Sequence, residues 1–282
     1  MIPVENALTV ESNIELMETN LGFDAEGMVF IGDILQNRLY SNKVLAAIRE
    51  PSTNALDAMV VAGKADQPFL VTLPNALAPQ FRVRDYGSGL TDAEMRTLYA
   101  NYGASDKRKS NDVLGQMGIG KFAPLSYTKS NFLVVSYKGG EARTYSISCK
   151  SNKISPMSVD VTTEPDGLEV IVEVRENDIQ TFITECATFF QFFKVRPTFK
   201  GAEIKFNEVK PLFSDANGLW VIPGVNDEYA RSPLAVMGGV PYKIDAEAIN
   251  WEGKQPELKT LLESGIIMRF NIGDIELIVI FK

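Results

Sequence analysis

The sequence contains no histidine. This absence excludes Ser-His-Asp and Cys-His nucleophilic catalysis and every metal site that needs an imidazole ligand. The two cysteines, Cys149 and Cys186, stand far apart without a CxxC partner, which favours neither a disulfide framework nor a thiolate metal cluster. We expect both to be buried thiols, because free cysteine is usually buried. Acid–base chemistry therefore falls to carboxylates, lysines and tyrosines.

Long apolar runs and positive charge are also scarce. No run approaches the roughly 20 apolar residues that span a bilayer, and the N-terminus lacks the features of a signal peptide, so we expect a cytoplasmic protein. Acidic residues outnumber basic ones by 36 to 28, which gives a formal net charge of -8. Nucleic-acid binding is disfavoured, because phosphate backbones are bound by an excess of Lys and Arg, although the basic patch 107–109 leaves local contact open.

The remaining composition is that of a globular protein. Hydrophobic residues make up 45% and charged residues 23% of the chain, close to ordinary usage. The length of 282 residues predicts one large domain or a domain and a half. Short strands and Gly/Pro turns begin after Pro197, so we predict two domains, 1–198 and 199–282. The second is a smaller α/β unit that is small for independent folding or incomplete.

Apolar periodicity predicts the secondary structure. A first helix follows the cap pair Ser41 and Asn42 and runs toward Gly63, and Pro51 is expected to kink it or make it restart. The other predicted helices are 92–99, 178–193 and one around 256–263. The predicted strands are 69–73 and 81–84, an antiparallel pair, and then 132–137, 144–149, 159–163 and 168–174. A helix followed by a sheet predicts an α+β sandwich.

The first chemical motif lies on the first predicted helix. Glu50 and Asn54 are four residues apart and project from one helix face. An amide oxygen can take one position on Mg²⁺, which accepts few protein ligands and keeps phosphate oxygens and waters. The carboxylate one turn away can orient or deprotonate a water. Taken alone, however, the pair is better explained as a solvated helix face.

The second motif follows the predicted strand 81–84. Asp85 is an acceptor-only carboxylate that can bond the exocyclic amine of adenine. Gly87 and Gly89 allow the backbone to approach a base closely. An Asp-Gly turn without a ligand explains this segment equally well.

The third motif is a glycine-rich string, made of Gly115, Gln116, Met117, Gly118, Ile119, Gly120 and Lys121. Its backbone amides can converge on phosphate oxygens. The string also satisfies most of a P-loop pattern. That alternative is disfavoured because Phe122 replaces the Mg-binding hydroxyl and because polar residues precede Gly115 where a buried strand is required.

The three motifs in this order, with a mobile polar loop predicted at 103–112, resemble the GHKL superfamily of ATPases. That superfamily includes the ninety-kilodalton heat-shock chaperone, MutL, the ATPase subunits of type II topoisomerases and histidine kinases. The matching residues are Glu50, Asn54 and Asp57 in the first motif, Asp85, Gly87 and Gly89 in the second, and Gly115, Gly118 and Gly120 in the third. The resemblance implies a Bergerat-type α/β sandwich, with a mixed, mainly antiparallel sheet and helices on one face, and ATP and Mg²⁺ as ligands.

A narrower resemblance is to the RIIA rapid-lysis proteins of tailed bacteriophages, on the strings 39–41, 49–50, 53–58, 195–197 and 239–242. By this similarity Asn54 would ligate Mg²⁺, Glu50 would activate the hydrolytic water and Asp85 would read adenine. Residues 115–120 would cradle phosphate, and 100–114 would form the ATP lid. The implied partners are ATP or ADP, a second copy of the chain and a host protein, in the host cytoplasm, with peripheral membrane association left open.

Two positions depart from the superfamily pattern. Leu168 follows Gly167 where many members have a threonine, and Pro51 has no expected counterpart. Hydrolytic members often borrow a Lys or Arg from the following domain to stabilise the transferring phosphate; Lys243 and Arg231 are the candidates here.

Two functions stay open at this point. One is a slow ATPase that orders the lid and gates dimerisation or a partner surface, and the other is a non-hydrolysing ATP-binding protein that targets a host factor. Histidine kinase activity is disfavoured by the missing histidine, and a topoisomerase role would need DNA-handling domains.

Overall fold

The computed structural model describes residues 40–99, 120–148, 153–224, 233–249, 251, 256–271 and 274. Several predicted features lie outside these residues: the lid at 100–114, residues 115–119 of the third motif, Cys149 and Arg231. The helices that the structure describes include none that is long and apolar enough to cross a membrane.

The first helix, α1 (Lys43–Val61), begins at the predicted cap. The Asn42 side chain accepts a hydrogen bond from the Leu45 amide at 2.9 Å, which satisfies one of the free donors of the first turn. The helix ends just before Gly63, whose φ is +70°. The predicted helix is therefore confirmed at both ends.

Pro51 lies inside α1 and is buried, and the helix continues through it without the restart that was one of the two expectations. Proline has no N–H, so the carbonyl of Ala47 loses its usual donor in this turn. In the same turn, the Ser52 hydroxyl donates to the next carbonyl, that of Ile48, at 2.6 Å.

A seven-stranded sheet follows α1 in the chain. Its strands are β1 (Leu70–Thr72), β2 (Gln80–Arg84), β3 (Asn131–Lys138), β4 (Glu141–Ser148), β5 (Lys153–Val161), β6 (Gly167–Glu173) and β7 (Thr198–Lys200), in the order β5-β4-β3-β6-β2-β1-β7. All neighbours are antiparallel except β1 and β7, which are parallel. The sheet is thus mixed and mainly antiparallel, as expected.

Shorter elements connect these strands. They are α2 (Asp92–Glu94), a π-helix (Met95–Tyr99), a 3-10 helix (Gly120–Phe122), α3 (Pro124–Thr128) and a 3-10 helix (Glu176–Asp178) that leads into α4 (Ile179–Phe190). Helices α1, α3 and α4 contact one another and one face of the sheet. This arrangement confirms the α+β sandwich.

Aromatic rings fill the layer between sheet and helices. Phe81 on β2 lies 5.4 Å from Phe182 on α4 between ring centroids, and Tyr127 on α3 lies 5.1 Å from the same ring. Cys186, one turn further along α4, is fully buried and free, as predicted. Burial raises the pKa of its thiol well above the usual range, because a low-dielectric environment disfavours the thiolate.

A second, five-stranded sheet follows. Its strands are β8 (Pro211–Ser214), β9 (Trp220–Pro223), β10 (Leu234–Met237), β11 (Val240–Lys243) and β12 (Ile267–Phe270), in the order β11-β10-β12-β9-β8. A 3-10 helix (Ala246–Ala248) and α5 (Pro256–Glu263) lie in the chain between β11 and β12. The helix predicted at 256–263 is confirmed.

The two sheets are connected through residues 201–210. Because β7 pairs with β1, and the Leu73 amide donates to the Lys200 carbonyl at 2.8 Å, residues 198–200 are part of the first sheet. The boundary predicted at 198/199 thus falls inside β7. The division into two domains stays a prediction, and its transition segment is 201–210.

A core substitution tests this packing. Phe182→Ala is expected to lower the free energy of unfolding by about 3–5 kcal/mol, because it removes a fully buried ring and leaves a cavity. Leu77→Ala, at a side chain that is 98% exposed, should change it by less than about 0.5 kcal/mol. Denaturant unfolding measures both, and equal losses would contradict the described core.

Candidate functional site

One face of α1 carries the first motif. Glu50 and Asn54 are half-buried and one turn apart, and Asp57 is buried at 2% exposure one turn further on. Glu50 and Ala58 are separated by about 12 Å along the axis, at 1.5 Å per residue. Glu50, Asn54 and Asp57 therefore form a line of polar side chains along one side of α1. The segment that contains Gly120 contacts α1 at the Glu50 end of this line, and the segment that contains Gly87 contacts it at the Ala58 end.

Gly120, the last glycine of the third motif, lies at the Glu50 end. A methyl group added at Gly120 would overlap with Glu50 Oε2. The other carboxylate oxygen, Oε1, accepts hydrogen bonds from Nη2 and Nε of Arg49, at 3.1 and 3.3 Å. The Glu50 carboxylate is therefore held between a guanidinium group and a glycine backbone. The Arg49 contact was not predictable from the sequence, because adjacent helix residues do not normally face each other.

The Asn54 side chain is accessible enough to coordinate a metal ion. Its side chain is half-buried, and among the described residues no hydrogen-bond partner for its amide is present. An amide oxygen beside a carboxylate fits the ligand preference of Mg²⁺, which is bound by few protein oxygens. Within the described residues, no group of three or more metal-ligating acidic or thiol side chains is present.

The second motif lies at the Ala58 end of the line. Asp85 follows β2 and is 5% exposed, and its Oδ1 accepts from the amides of Gly87 and Leu168 at 2.8 and 3.2 Å. A methyl group at Gly87 would lie 3.1 Å from the Cβ of Ala58. The loop therefore packs directly on α1, and only a glycine at position 87 permits this approach without displacing the helix.

Leu168 is the position where a threonine was expected from the superfamily pattern. Its carbonyl accepts from the Asp85 amide at 2.9 Å, and its own amide donates to Asp85 Oδ1. The backbone of Leu168 thus touches the candidate base-reading carboxylate, although its side chain cannot donate a hydrogen bond.

Gly89 closes the second motif on the other side. Its φ is +61°, and a methyl group there would overlap with the Tyr137 carbonyl. The next residue is fixed by β3, since the Leu90 amide donates to the Ser136 hydroxyl at 2.8 Å and that hydroxyl donates to the Leu90 carbonyl at 2.7 Å. Thr91 then starts α2 with a capping box that includes Glu94.

Two tyrosines from distant parts of the chain lie around Glu50. Burial, followed by the charge of Glu50, raises the pKa of Tyr40. Burial also raises the pKa of Tyr242, on β11, to about 12, and the charges of Arg49, Glu50 and Asp57 act on the same hydroxyl. Both shifts follow from removing a phenol from water next to negative charge.

The second sheet contacts the core of the first part through one face of β11, which lies against α4. Val240 is fully buried in the core of the first sheet, and Tyr242 packs against that core. Since side chains alternate along a strand, the exposed Lys243 lies on the opposite face. Tyr242 is therefore the residue of β11 on which the charge of Glu50 acts, and the predicted Lys243 points away from this core.

The described arrangement gathers Glu50, Asn54, Asp57, Asp85, Gly87 and Gly120 along one side of α1. Gly89 lies at the outer end of its loop, and Lys121 follows Gly120 in the 3-10 helix. Gly115, Gln116, Met117, Gly118 and Ile119 lie outside the described residues. The individual roles of all these residues stay predictions.

Residues 46–181 match the family model described as histidine kinase-, DNA gyrase B-, and HSP90-like ATPase. This match supports the GHKL superfamily. The matched GHKL segment begins in the first turn of α1 and ends at the start of α4, so it contains all three motifs and the whole of the line along α1. The match likewise supports ATP binding by this segment. No curated protein matches the chain.

The close approach at Gly89 can be tested against a matched glycine in the GHKL segment. Gly89 and Gly139 have nearly the same φ, +61° and +60°, but a methyl group at Gly139 meets open space. Gly139→Ala should cost about 1–2 kcal/mol of unfolding free energy, from the left-handed backbone alone. Gly89→Ala should cost about 1–3 kcal/mol more, because it also overpacks the loop. Urea unfolding of both variants would reveal this difference, and equal costs would argue against contact with Tyr137.

Proposed function

We propose that this chain binds Mg-ATP along α1 and hydrolyses it slowly to ADP and phosphate. The supporting observation is that two glycine backbones approach one helix face about 12 Å apart, Gly120 at the Glu50 carboxylate and Gly87 at Ala58. These contacts bring both glycine-rich segments to one side of α1, where a nucleotide extended along the helix could bind to the two segments at once. The GHKL match of residues 46–181 supports the same ligand.

The base of the nucleotide lies at the Asp85 end in this proposal. An ionised carboxylate only accepts hydrogen bonds, so it favours the exocyclic amine of adenine. The backbone bonds from Gly87 and Leu168 fix the direction of the Asp85 carboxylate before any ligand arrives. Gly87 and Gly89 would contribute by allowing the loop to pack against Ala58 and Tyr137, which holds Asp85 in place.

The phosphates lie toward Gly120. The backbone amides of 115–120, with Gln116, Met117 and Ile119 between the glycines, and the cation of Lys121 would surround the phosphate oxygens. Asn54 would hold Mg²⁺, which neutralises charge on the phosphates. Asp57, one turn further along α1 than Asn54, would also contribute to the Mg-ATP site.

Glu50 is the general base in this proposal. Its carboxylate accepts a proton from a water as the water oxygen bonds to the terminal phosphorus, while the bond from that phosphorus to the ADP oxygen breaks. Such positioned proton transfer accelerates reactions by about 10²- to 10⁴-fold. The contacts from Arg49 and Gly120 limit the orientations of the carboxylate.

The biological part of the proposal follows the resemblance to RIIA-like phage proteins. Bound nucleotide would order the lid at 100–114 and so gate dimerisation or a surface for a host partner, in the cytoplasm of the infected cell. In this role the rate of turnover matters less than the difference between the ATP-bound and ADP-bound surfaces.

A second candidate function is ATP binding without turnover by a protein that targets a host factor. The observation in its favour is that, in the described part of the chain, β11 brings Tyr242 rather than a cation to Glu50. Without a cation from the second sheet, the charge that develops on the transferring phosphate lacks one common source of stabilisation.

Glu50→Gln separates these two functions. The amide keeps the size of the side chain but cannot take a proton, so phosphate release should fall by about 10²- to 10⁴-fold while ATP affinity stays similar. Glu208→Gln, at an exposed position of the connecting segment, should leave the rate unchanged. Equal rates in wild type and Glu50→Gln would remove Glu50 as the base. Tight ATP binding by a wild-type protein with no phosphate release would select the second candidate.

Asp85→Asn tests the base end of the site. The amide replaces one acceptor atom with a donor, so ATP affinity should fall by about 10- to 100-fold, the usual range for losing a hydrogen bond to a charged group. Calorimetric titration with a non-hydrolysable ATP analogue measures the change. The exposed Asp66→Asn serves as control, and an unchanged affinity in Asp85→Asn would exclude Asp85 from base recognition.

A further inference from the structure

Arg84, the last residue of β2 and the neighbour of Asp85, is a buried cation. Arg84 is only 4% exposed, and its guanidinium donates through Nη1 to the carbonyl of Asp85 and through Nη2 to the carbonyl of Pro165. The centre of the guanidinium lies 4.0 Å from the ring centroid of Tyr137 and 5.0 Å from that of Tyr86. Arg84 therefore has two carbonyl acceptors and two aromatic faces, a combination that suits a planar forked cation and that lysine does not reproduce.

Arg84 lies on the face of the sheet away from α1. Along β2, Phe81 and Val83 point into the core between sheet and helices. Side chains alternate along a strand, so Arg82 and Arg84 lie on the opposite face. Arg84 therefore cannot touch a ligand that lies along α1, and any effect it has on such a ligand passes through Asp85.

The fork of Arg84 joins the two segments that hold the Asp85 carboxylate. One carbonyl belongs to Asp85 itself, and the other, of Pro165, lies in the turn that leads into β6. The second segment supplies the Leu168 amide that donates to Asp85 Oδ1 at 3.2 Å. Between them, a methyl group at Gly167 would overlap with both Arg84 Nη1 and the Asp85 carbonyl. Arg84 thus adds a side-chain link between two segments that the backbone bond from the Asp85 amide to the Leu168 carbonyl also joins, and it places this link at the Pro165 turn.

Two lysines brace the rest of the same loop. Lys64 donates to the carbonyl of Tyr86 at 2.7 Å, and Lys138 donates to the carbonyl of Ser88. Lys138 also forms an ion pair with Asp166 at 4.0 Å, so it connects the loop at Ser88 to the Pro165 turn. Arg84 differs from both lysines because it donates to the carbonyl of Asp85 itself as well as to that of Pro165. We therefore expect its effect to fall on the direction of the Asp85 carboxylate.

We propose that Arg84 is a positioning residue that sets the base selectivity of this site; the inference rests on the ATP binding proposed above. A carboxylate accepts from the amino group at C6 of adenine and repels the carbonyl at C6 of guanine, but only when its oxygen points at that edge of the base. Sites built around a fixed hydrogen-bonding group discriminate by orders of magnitude. Loss of the Arg84 fork lets the Pro165 turn move away from Asp85, and the carboxylate then loses its fixed direction.

The experiment compares Arg84→Met with Arg82→Met, a control two residues away on the same strand and face. Each protein is titrated by calorimetry, in Mg²⁺, with non-hydrolysable ATP and GTP analogues and with inorganic tripolyphosphate. In Arg84→Met the preference for ATP over GTP should fall by about tenfold or more, as expected for one lost charged hydrogen bond. Tripolyphosphate affinity should stay unchanged, because the phosphate end lies about 12 Å along α1. Arg82→Met should keep the wild-type preference.

The outcomes separate this inference from the proposed function. A wild-type protein that binds no ATP overturns both. If wild type prefers ATP and Arg84→Met keeps that preference, or if wild type binds ATP and GTP equally, the inference fails while ATP binding stands. An equal loss of ATP, GTP and tripolyphosphate affinity also overturns it, because that pattern indicates general destabilisation. If Arg84→Met does not fold, Arg84→Lys decides, since it keeps the charge but cannot reach both carbonyls: a reduced preference supports the inference and a wild-type preference overturns it.

Discussion

The approach of glycine backbones to one face of α1 is the constraint on which the site depends. A methyl group at Gly120 would displace the Glu50 carboxylate, and one at Gly87 would press on Ala58. The role of both glycines here is steric: each lacks a side chain that would occupy the space between its backbone and α1. The absence of side chains at these two positions lets the Asp85 loop and the 3-10 helix at Gly120 contact α1 without shifting Ala58 or the Glu50 carboxylate.

Around this surface, the protein uses the two faces of the first sheet for different tasks. The face toward α1 and α4 is packed with aromatic rings such as Phe81 and Phe182. The opposite face carries polar pairs at the end of β2, including Arg84 over Tyr137. Burial and the adjacent Glu169 raise the pKa of Tyr137 to about 12, so this phenol stays neutral and presents an uncharged ring to the guanidinium. A rigid support for Asp85 is thereby built without using the face where a ligand would lie.

The features that were predictable from the sequence are those encoded by nearby residues. The cap at Asn42, the alternation along β2 and the helix at 256–263 depend on local periodicity and turn chemistry. The grouping of Glu50 with Asp85 followed from the order of three motifs. Arg84 and Tyr242 were not identifiable in this way, because their contacts with Tyr137, Pro165 and the region of Glu50 join distant parts of the chain and depend on strand register. The helix also passes through Pro51 without restarting, since burial of α1 between sheet and helices outweighs one lost backbone hydrogen bond.

Val240 links the two sheets in a way that affects how the whole chain unfolds. Although it belongs to the second sheet, it is fully buried in the core of the first, and its strand contacts α4. Separating the sheets would open that core to water next to the line of polar residues on the helix. We therefore expect the two parts to unfold in a single cooperative transition.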